Sequence, residues 1–137
     1  MGQTVARERK QAKEAAAAER PRKTEWDLKE LMERLGGDRE FLRELLVMFR
    51  EDVRMNLEKS REAIERADYE ALSRTAHTMK GMLRNLSMGA AAETAATLEN
   101  ASRDALREES WELLGKLVKE LGEILPEVEA QLAGVKS

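Results

Sequence analysis

The sequence predicts an all-α protein, folded as an up-and-down antiparallel four-helix bundle with a short extra N-terminal helix. Three observations favour this fold class. Hydrophobic residues make up 42% of the 137 residues and charged residues 37%, with 8 glycines and 2 prolines, which is typical of helices with one buried and one solvated face. Apolar residues recur at helical spacing. The connections between helical segments are short, which favours antiparallel neighbours.

The first helix is the short extra one, and the second is long. A capping box begins at Thr24, with an acidic residue three positions later, and Gly36-Gly37 ends the helix that follows. Asp38 caps a helix that we expect from about Arg39 to Ala67. With Ser60 as a polar gap, its apolar stripe is Leu42, Leu46, Phe49, Val53, Leu57 and Ile64.

The third helix carries the only histidine of the chain. We expect it to be capped by Asp68 and to run to about Leu86, before a break at Ser87-Met88-Gly89. Small side chains dominate the inner face of the fourth helix, so its neighbours can approach closely. This face consists of Ala91, Ala95, Leu98, Ser102 and Ala105.

The last helix has a long apolar stripe and a proline near its end. We expect Ser110 to cap it, Gly115 and Gly122 to lie on its packed side, and Pro126 to cause a kink or a short break. The predicted stripe is Trp111, Leu114, Val118, Leu121, Leu125, Val128 and Leu132.

Charge and composition limit the function classes. Residues 1–23 hold seven Lys/Arg and three Glu, a balance of +4, and the remainder carries −7. An acidic body argues against nucleic-acid binding, so we interpret 1–23 as a basic, Ala/Glu/Lys/Arg-rich helical linker or tail. The absence of cysteine excludes disulfides and thiolate zinc sites and is compatible with a cytoplasmic location. We expect neither a membrane span nor a secretory signal.

The histidine, His77, is predicted to lie on a solvent face. It is about 140° from the centre of the apolar stripe of its helix, and Ser73, Lys80, Gly81 and Arg84 lie beside it. A neutral imidazole is a nucleophile at physiological pH and can hold a phosphoryl group as a phosphoramidate. One histidine without cysteine lacks the usual ligand set of a zinc site. The sequence therefore predicts a phosphate carrier without a bound metal.

These residues match a known family. The stretch His77-Thr78-Met79-Lys80-Gly81, followed by Asn85 and by Leu98-Glu99, resembles the histidine-containing phosphotransfer (HPt) domain of bacterial multistep phosphorelays. The opening around Trp26-Asp27-Leu28 and the stretch from Phe41 to Asp68 are similar to the family as well. The resemblance covers residues 24–133 and leaves 134–137 as a C-terminal tail.

The resemblance implies a function and a set of site residues. His77 is expected to accept a phosphoryl group from the aspartate of one response-regulator receiver domain and to pass it to another. Lys80 is expected to face the phosphate, and Gly81 to give the partner clearance. By position, the docking contacts are Ser73, Arg74, Thr78, Arg84 and Asn85. No cofactor of its own is expected, since the receiver supplies Mg²⁺.

Several alternatives stay open at this point. Such domains occur as the last module of a hybrid sensor histidine kinase or as small free proteins. One rival function is the phosphoacceptor module of a chemotaxis-type kinase, and another is a helical interaction module with a vestigial histidine. No glycine-rich nucleotide loop is present, so autonomous ATP-dependent kinase activity is not expected. Two positions depart from the family pattern: Met82 follows Gly81, where the family usually has a small residue, and Ser87 stands where a glycine is common.

Overall fold

The structure, a computed structural model, describes residues 26–134, and this part of the chain is all-helical. The predicted linker at 1–23, the predicted capping residue Thr24 and residues 135–137 of the predicted tail at 134–137 lie outside it. Within residues 26–134 no helix is both long enough and apolar enough to cross a bilayer. The helices are α1 (Leu28–Arg34), α2 (Arg39–Glu65), α3 (Tyr69–Asn85), α4 (Gly89–Arg103) and α5 (Arg107–Leu132).

The four long helices form an antiparallel ring. Consecutive helices pack against each other, and α5 returns to α2. At one end of this last contact Arg107, at the start of α5, donates to the carbonyl of Ile64 near the end of α2 (2.7 Å). At the other end Arg50 of α2 pairs with Glu129 of α5 (2.9 Å). These contacts confirm the predicted up-and-down four-helix bundle.

The short helix α1 is fastened to the end of α3. The indole Nε1 of Trp26 donates to the carbonyl of Leu86 (2.9 Å), and the backbone N–H of Asp27 donates to the carbonyl of Ser87 (3.0 Å). Asp27 also caps α1 through the N–H of Glu30 (3.0 Å). Asp27, and not the predicted Thr24, is therefore the N-cap of α1, which begins at Leu28.

The core is aliphatic. The predicted stripe of α2 is confirmed, except that Leu57 is only half-buried. On α4 the inner face contains Ala91, Ala95, Leu98 and Ser102 as predicted, together with Ala92, Thr94 and Ala101. The predicted position of Ala105 on that face is wrong. The helix ends at Arg103, and Ala105 is exposed with a φ of 53°.

Helix α5 differs most from the prediction. It begins at Arg107, and Ser110 is fully buried within it rather than capping it. Its packed face uses Leu117 and Ile124, which turns Val118 toward solvent and leaves Leu125 half-buried. The predicted stripe therefore differs from the face that is buried. The helix carries two overlapping sets of apolar residues, and packing determines which of them faces the core.

The glycines and the proline of α5 lie on its exposed side. Gly115 and Gly122 are exposed, and no heavy atom lies within 4 Å of an added Cβ at either, so the predicted close packing there is wrong. The helix also continues through Pro126, so the predicted break does not occur. Pro126 and Gly122 are both exposed, and water can therefore solvate the carbonyl that loses its helical donor.

Three helices end in the same way. Ala67, Ser87 and Ala105 follow α2, α3 and α4 with φ values of 59°, 60° and 53°, the left-handed conformation that closes a Schellman motif. After α3 the N–H of Met88 donates to the carbonyl of Leu83 (2.9 Å). The departure at Ser87 thus leaves the end of the histidine helix intact.

Candidate functional site

The single histidine projects from the wall of the bundle. Helix α3 buries Leu72, Ala76, Met79 and Leu83 against the core, and the helical spacing places His77 on the opposite side. The His77 side chain is 67% exposed. An incoming group can therefore reach the imidazole without any change in the packing of the bundle.

A buried carboxylate on the neighbouring helix holds the imidazole. Glu99 of α4 has a side chain only 6% exposed, and its Oε2 lies 3.1 Å from Nδ1 of His77. Its other oxygen, Oε1, accepts a hydrogen bond of 2.8 Å from the ammonium of Lys80. The guanidinium of Arg103, one turn along α4, donates to Oε2 at 2.9 Å. We call these four residues the Glu99 cluster.

The hydrogen bond from Lys80 is the main reason that the pKa of Glu99 lies below its usual value, and the contact with His77 lowers it further. Burial acts in the opposite direction and raises this pKa, but the cationic partners outweigh it. Glu99 is thus an ionised carboxylate at neutral pH, and an ionised carboxylate can only accept hydrogen bonds.

The charge of Glu99 determines which nitrogen of His77 is available. Because Oε2 accepts, Nδ1 of a neutral His77 ring must carry the proton. The lone pair then resides on Nε2, the nitrogen that points away from the cluster. The geometry therefore prepares one nitrogen of an exposed ring as a nucleophile.

Gly81 leaves open space one helical turn from the histidine. It is exposed, and apart from the backbone of its own helix an added Cβ would meet no heavy atom of residues 26–134 within 4 Å. Packing within the bundle thus gives no reason for a glycine at this position, although it costs helix stability relative to alanine. Among residues 26–134 nothing fills this space, so it is open to a group that approaches the bundle from outside.

Lys80 and the predicted docking residues have different surroundings. Lys80 is only 19% exposed, and its ammonium lies on Glu99 rather than in free solvent. Ser73 is half-buried, whereas Arg74, Thr78, Arg84 and Asn85 are exposed on α3. Arg74 and Thr78 line a groove of ≈ 360 Å³ between α2 and α3. At the end of α3, the backbone carbonyl of Asn85 accepts a hydrogen bond from Arg34 (2.6 Å).

Two members of the Glu99 cluster were not identified as site residues from the sequence. Glu99 contributes to the family resemblance, but its spacing gives no sign that it contacts His77, 22 positions earlier. Arg103 follows Glu99 by one helical turn, a spacing common to many solvated ion pairs. A charged residue within the apolar face of α4, next to Leu98 and Ser102, was the available signal.

An apolar stripe crosses the outer face of α2. Phe41, Met48 and Met55 recur every seven residues, and all three are exposed. Asn56, next to Met55, lines the same groove as Thr78, so this stripe passes beside the histidine helix. Met82 is half-buried and packs against the core, so it fills the space between helices.

Within residues 26–134 no group of three or more His, Cys, Asp or Glu side chains could hold a metal ion.

The fold and the site together define a helical bundle that presents one accessible imidazole, held by a carboxylate. A family model described as the Hpt domain matches residues 44–134, about two thirds of the chain. The chain belongs to the Hpt domain family, phosphotransfer modules of two-component signalling that interact with response-regulator receiver domains. No curated protein and no solved structure gives a significant match.

Proposed function

We propose that this protein is a phosphohistidine carrier that shuttles a phosphoryl group between receiver-domain aspartates in a two-component phosphorelay. His77 is the phosphoacceptor, through Nε2. The observation that supports this most directly is the exposed ring whose Nδ1 lies on the ionised carboxylate of Glu99. The proposal places the chain in the cytoplasm, either free or joined to a hybrid sensor histidine kinase.

The transfer step needs a nucleophile and a balance of charge. The lone pair of Nε2 forms a bond to phosphorus while the P–O bond of the aspartyl phosphate breaks, and its electrons leave with the aspartate carboxylate. The ring, which keeps its proton on Nδ1, becomes an imidazolium, and Glu99 offsets this positive charge. The reverse step moves the phosphoryl group to the next aspartate.

The protein supplies little besides this nucleophile and its alignment. Phosphoryl transfer depends on positioning and on neutralisation of the phosphate oxygens. We assign the Mg²⁺ that neutralises them to the receiver, which is the partner that carries the acidic pocket. Lys80 acts through Glu99, because its ammonium is bonded to that carboxylate.

The receiver docks over α3 and the neighbouring part of α2. Gly81 leaves the space through which its backbone reaches the imidazole. Thr78, Arg74, Ser73, Arg84 and Asn85 supply polar contacts around the ring. The exposed Met55 and Met48 extend this surface with apolar area. A transient partner fits an interface near the low end of the size range, about 1,200 Å².

Transfer of a radiolabelled phosphoryl group tests this function. The protein is mixed with phosphorylated receiver domains of the source organism, and label on the chain is checked for stability in base and lability in acid, as expected of a phosphoramidate. The unmutated protein should be labelled and should pass the label on, whereas His77→Gln should do neither and should melt at nearly the same temperature. Label on the His77→Gln variant would reject the site.

The same assay separates the rival functions. A chemotaxis-type phosphoacceptor module would take label from a kinase with ATP and would ignore phosphorylated receivers. An interaction module with a vestigial histidine would take label from neither donor. Either outcome would overturn the proposed shuttle.

A further inference from the structure

The two oxygens of the Glu99 carboxylate have different numbers of hydrogen-bond partners. Its Oε2 contacts both Nδ1 of His77 (3.1 Å) and a guanidinium nitrogen of Arg103 (2.9 Å). Its Oε1 accepts from Lys80 (2.8 Å). The guanidinium of Arg103 therefore lies within two hydrogen-bond lengths of Nδ1. A group on Nε2 lies on the other side of the ring, so Arg103 must leave Oε2 to reach it.

The two cations of the Glu99 cluster differ in their freedom to move. Arg103 is 60% exposed, and its other hydrogen bond goes to Asn100, an exposed residue of the same helix. Lys80 is 19% exposed, and its hydrogen bond is the largest cause of the lowered pKa of Glu99. If Lys80 left, a buried carboxylate would lose its closest counter-charge. If Arg103 left, that carboxylate would keep Lys80.

Phosphorylation of His77 changes the acceptors that are favourable for its Nδ1–H group and for the guanidinium of Arg103. When Nε2 bonds to phosphorus, the ring becomes an imidazolium and its Nδ1 proton competes more strongly for Oε2. At the same time a group with a charge of about −1.5 to −2 and three acceptor oxygens is added to the opposite side of the ring. A guanidinium binds phosphate oxygens in a bidentate way, which an ammonium cannot do.

We propose that Arg103 is the residue of this chain that binds the phosphoryl group on His77, and that it leaves Oε2 of Glu99 to do so while Lys80 stays in place. This inference rests on the proposed function, because it concerns the phosphorylated state of the same histidine. It assigns the phosphate-facing role to Arg103, whereas Lys80 keeps Glu99 charged and in position.

Phosphoramidate tests this inference without a receiver domain. The lone pair of Nε2 forms the new bond to phosphorus as the P–N bond of phosphoramidate breaks, and ammonia leaves with its electron pair. The rate of phosphorylation is followed by ³¹P NMR on the full chain. Side-chain ¹⁵N signals of Arg103, Lys80 and His77 are recorded before and after. The variants are Arg103→Ala, Arg103→Lys and the control Arg61→Ala, an exposed arginine paired with Glu58 and Glu65 on its own helix.

We expect Arg103→Ala to be phosphorylated about fivefold more slowly, as for the loss of one partly exposed charge-assisted contact. Arg103→Lys should recover part of this loss, and Arg61→Ala should match the unmutated protein. In the unmutated protein the guanidinium signals of Arg103 should shift on phosphorylation, whereas the ammonium signal of Lys80 should not. The Nδ1–H tautomer of His77 should persist in Arg103→Ala.

Three results would overturn the inference. The first is an unchanged rate of phosphorylation in Arg103→Ala, and the second is a shift of the Lys80 signal on phosphorylation in place of the Arg103 signals. The third is a change of the His77 tautomer in Arg103→Ala, which would show that Arg103 only supports Glu99. In each case His77 would still be phosphorylated and the proposed function would stand. Failure of the proposed function has a different signature, because phosphorylated receiver domains would then not label His77.

Discussion

Replacement of Glu99 by glutamine tests the central feature of the site, which is the carboxylate that fixes the proton of His77. Glutamine has nearly the same volume but presents one acceptor oxygen and one donor NH₂ group. Lys80 on Oε1 and Arg103 on Oε2 both need an acceptor oxygen. Because Lys80 is 19% exposed and Arg103 is 60% exposed, Lys80 will hold the amide oxygen and Arg103 will turn to solvent, so the NH₂ group will face Nδ1 of His77. The ring must then accept at Nδ1 and carry its proton on Nε2, the nitrogen that should attack.

The size of the effect follows from the contact that is lost. A hydrogen bond to a charged group contributes about 1.5–3 kcal/mol, and this free energy now opposes the reactive tautomer. At about 1.4 kcal/mol per tenfold change, phosphorylation of His77 should slow by roughly 10- to 150-fold. In the contact between His77 and Glu99 the carboxylate is 6% exposed but the imidazole is 67% exposed, so solvent screens part of this interaction and the effect should lie toward the lower end of that range.

The assay combines a rate and a spectrum. Phosphorylation by phosphoramidate gives the rate, and imidazole ¹⁵N chemical shifts give the tautomer of His77. The matched control is Glu58→Gln, an exposed carboxylate paired with Arg61, which should leave both unchanged. A Glu99→Gln variant that keeps the Nδ1–H tautomer and the unmutated rate would refute the role given to Glu99.

The same substitution should change how stability depends on pH. The pKa of Glu99 is lowered in the folded state from an ordinary value of 4.5, so the unfolded chain binds its proton more tightly. The stabilisation is therefore complete above about pH 4.5 and is lost as the pH falls through the folded-state pKa. Urea unfolding between pH 3 and pH 6 should show this loss in the unmutated protein, and Glu99→Gln should remove that contribution.

Three further substitutions test other parts of the molecule. Gly81→Leu should reduce the rate of transfer from a receiver at least tenfold while it stabilises the helix by up to ~1 kcal/mol. The control Gly115→Leu, also in open space, should transfer at the unmutated rate. Equal transfer rates in the two variants would reject the clearance argument. Met55→Glu should weaken receiver docking measured by calorimetry, whereas Val118→Glu, a similarly exposed position on α5, should not, and equal affinities would remove α2 from the interface. Ser110→Ala should raise the free energy of unfolding by about 1 kcal/mol, because the hydroxyl of Ser110 is buried and has no hydrogen-bond partner among residues 26–134. A drop in the urea midpoint would show that this hydroxyl is bonded.

The helices and their order could be predicted from the sequence because both are encoded locally. Asp38 and Asp68 cap α2 and α3 through the N–H groups of Phe41 and Ala71, at 3.0 Å and 3.1 Å, and apolar spacing then identifies the buried face. Where a helix carries one apolar stripe, as in α3 with Leu72, Ala76, Met79 and Leu83, this was sufficient. In α5 two overlapping stripes compete, and only packing against α2 and α4 determines that Leu117 is buried and Val118 is exposed.

The position of His77 on a solvent face was determined by the sequence alone, because the 3.6-residue period fixes every side chain relative to its own helix. Its chemistry was decided by the tertiary structure. The contact that orients the ring joins α3 to α4 across 22 positions, and no local pattern encodes how two helices are rotated against each other. That rotation places a buried carboxylate on Nδ1, and it brings Lys80 and Arg103 to the same group from different helices.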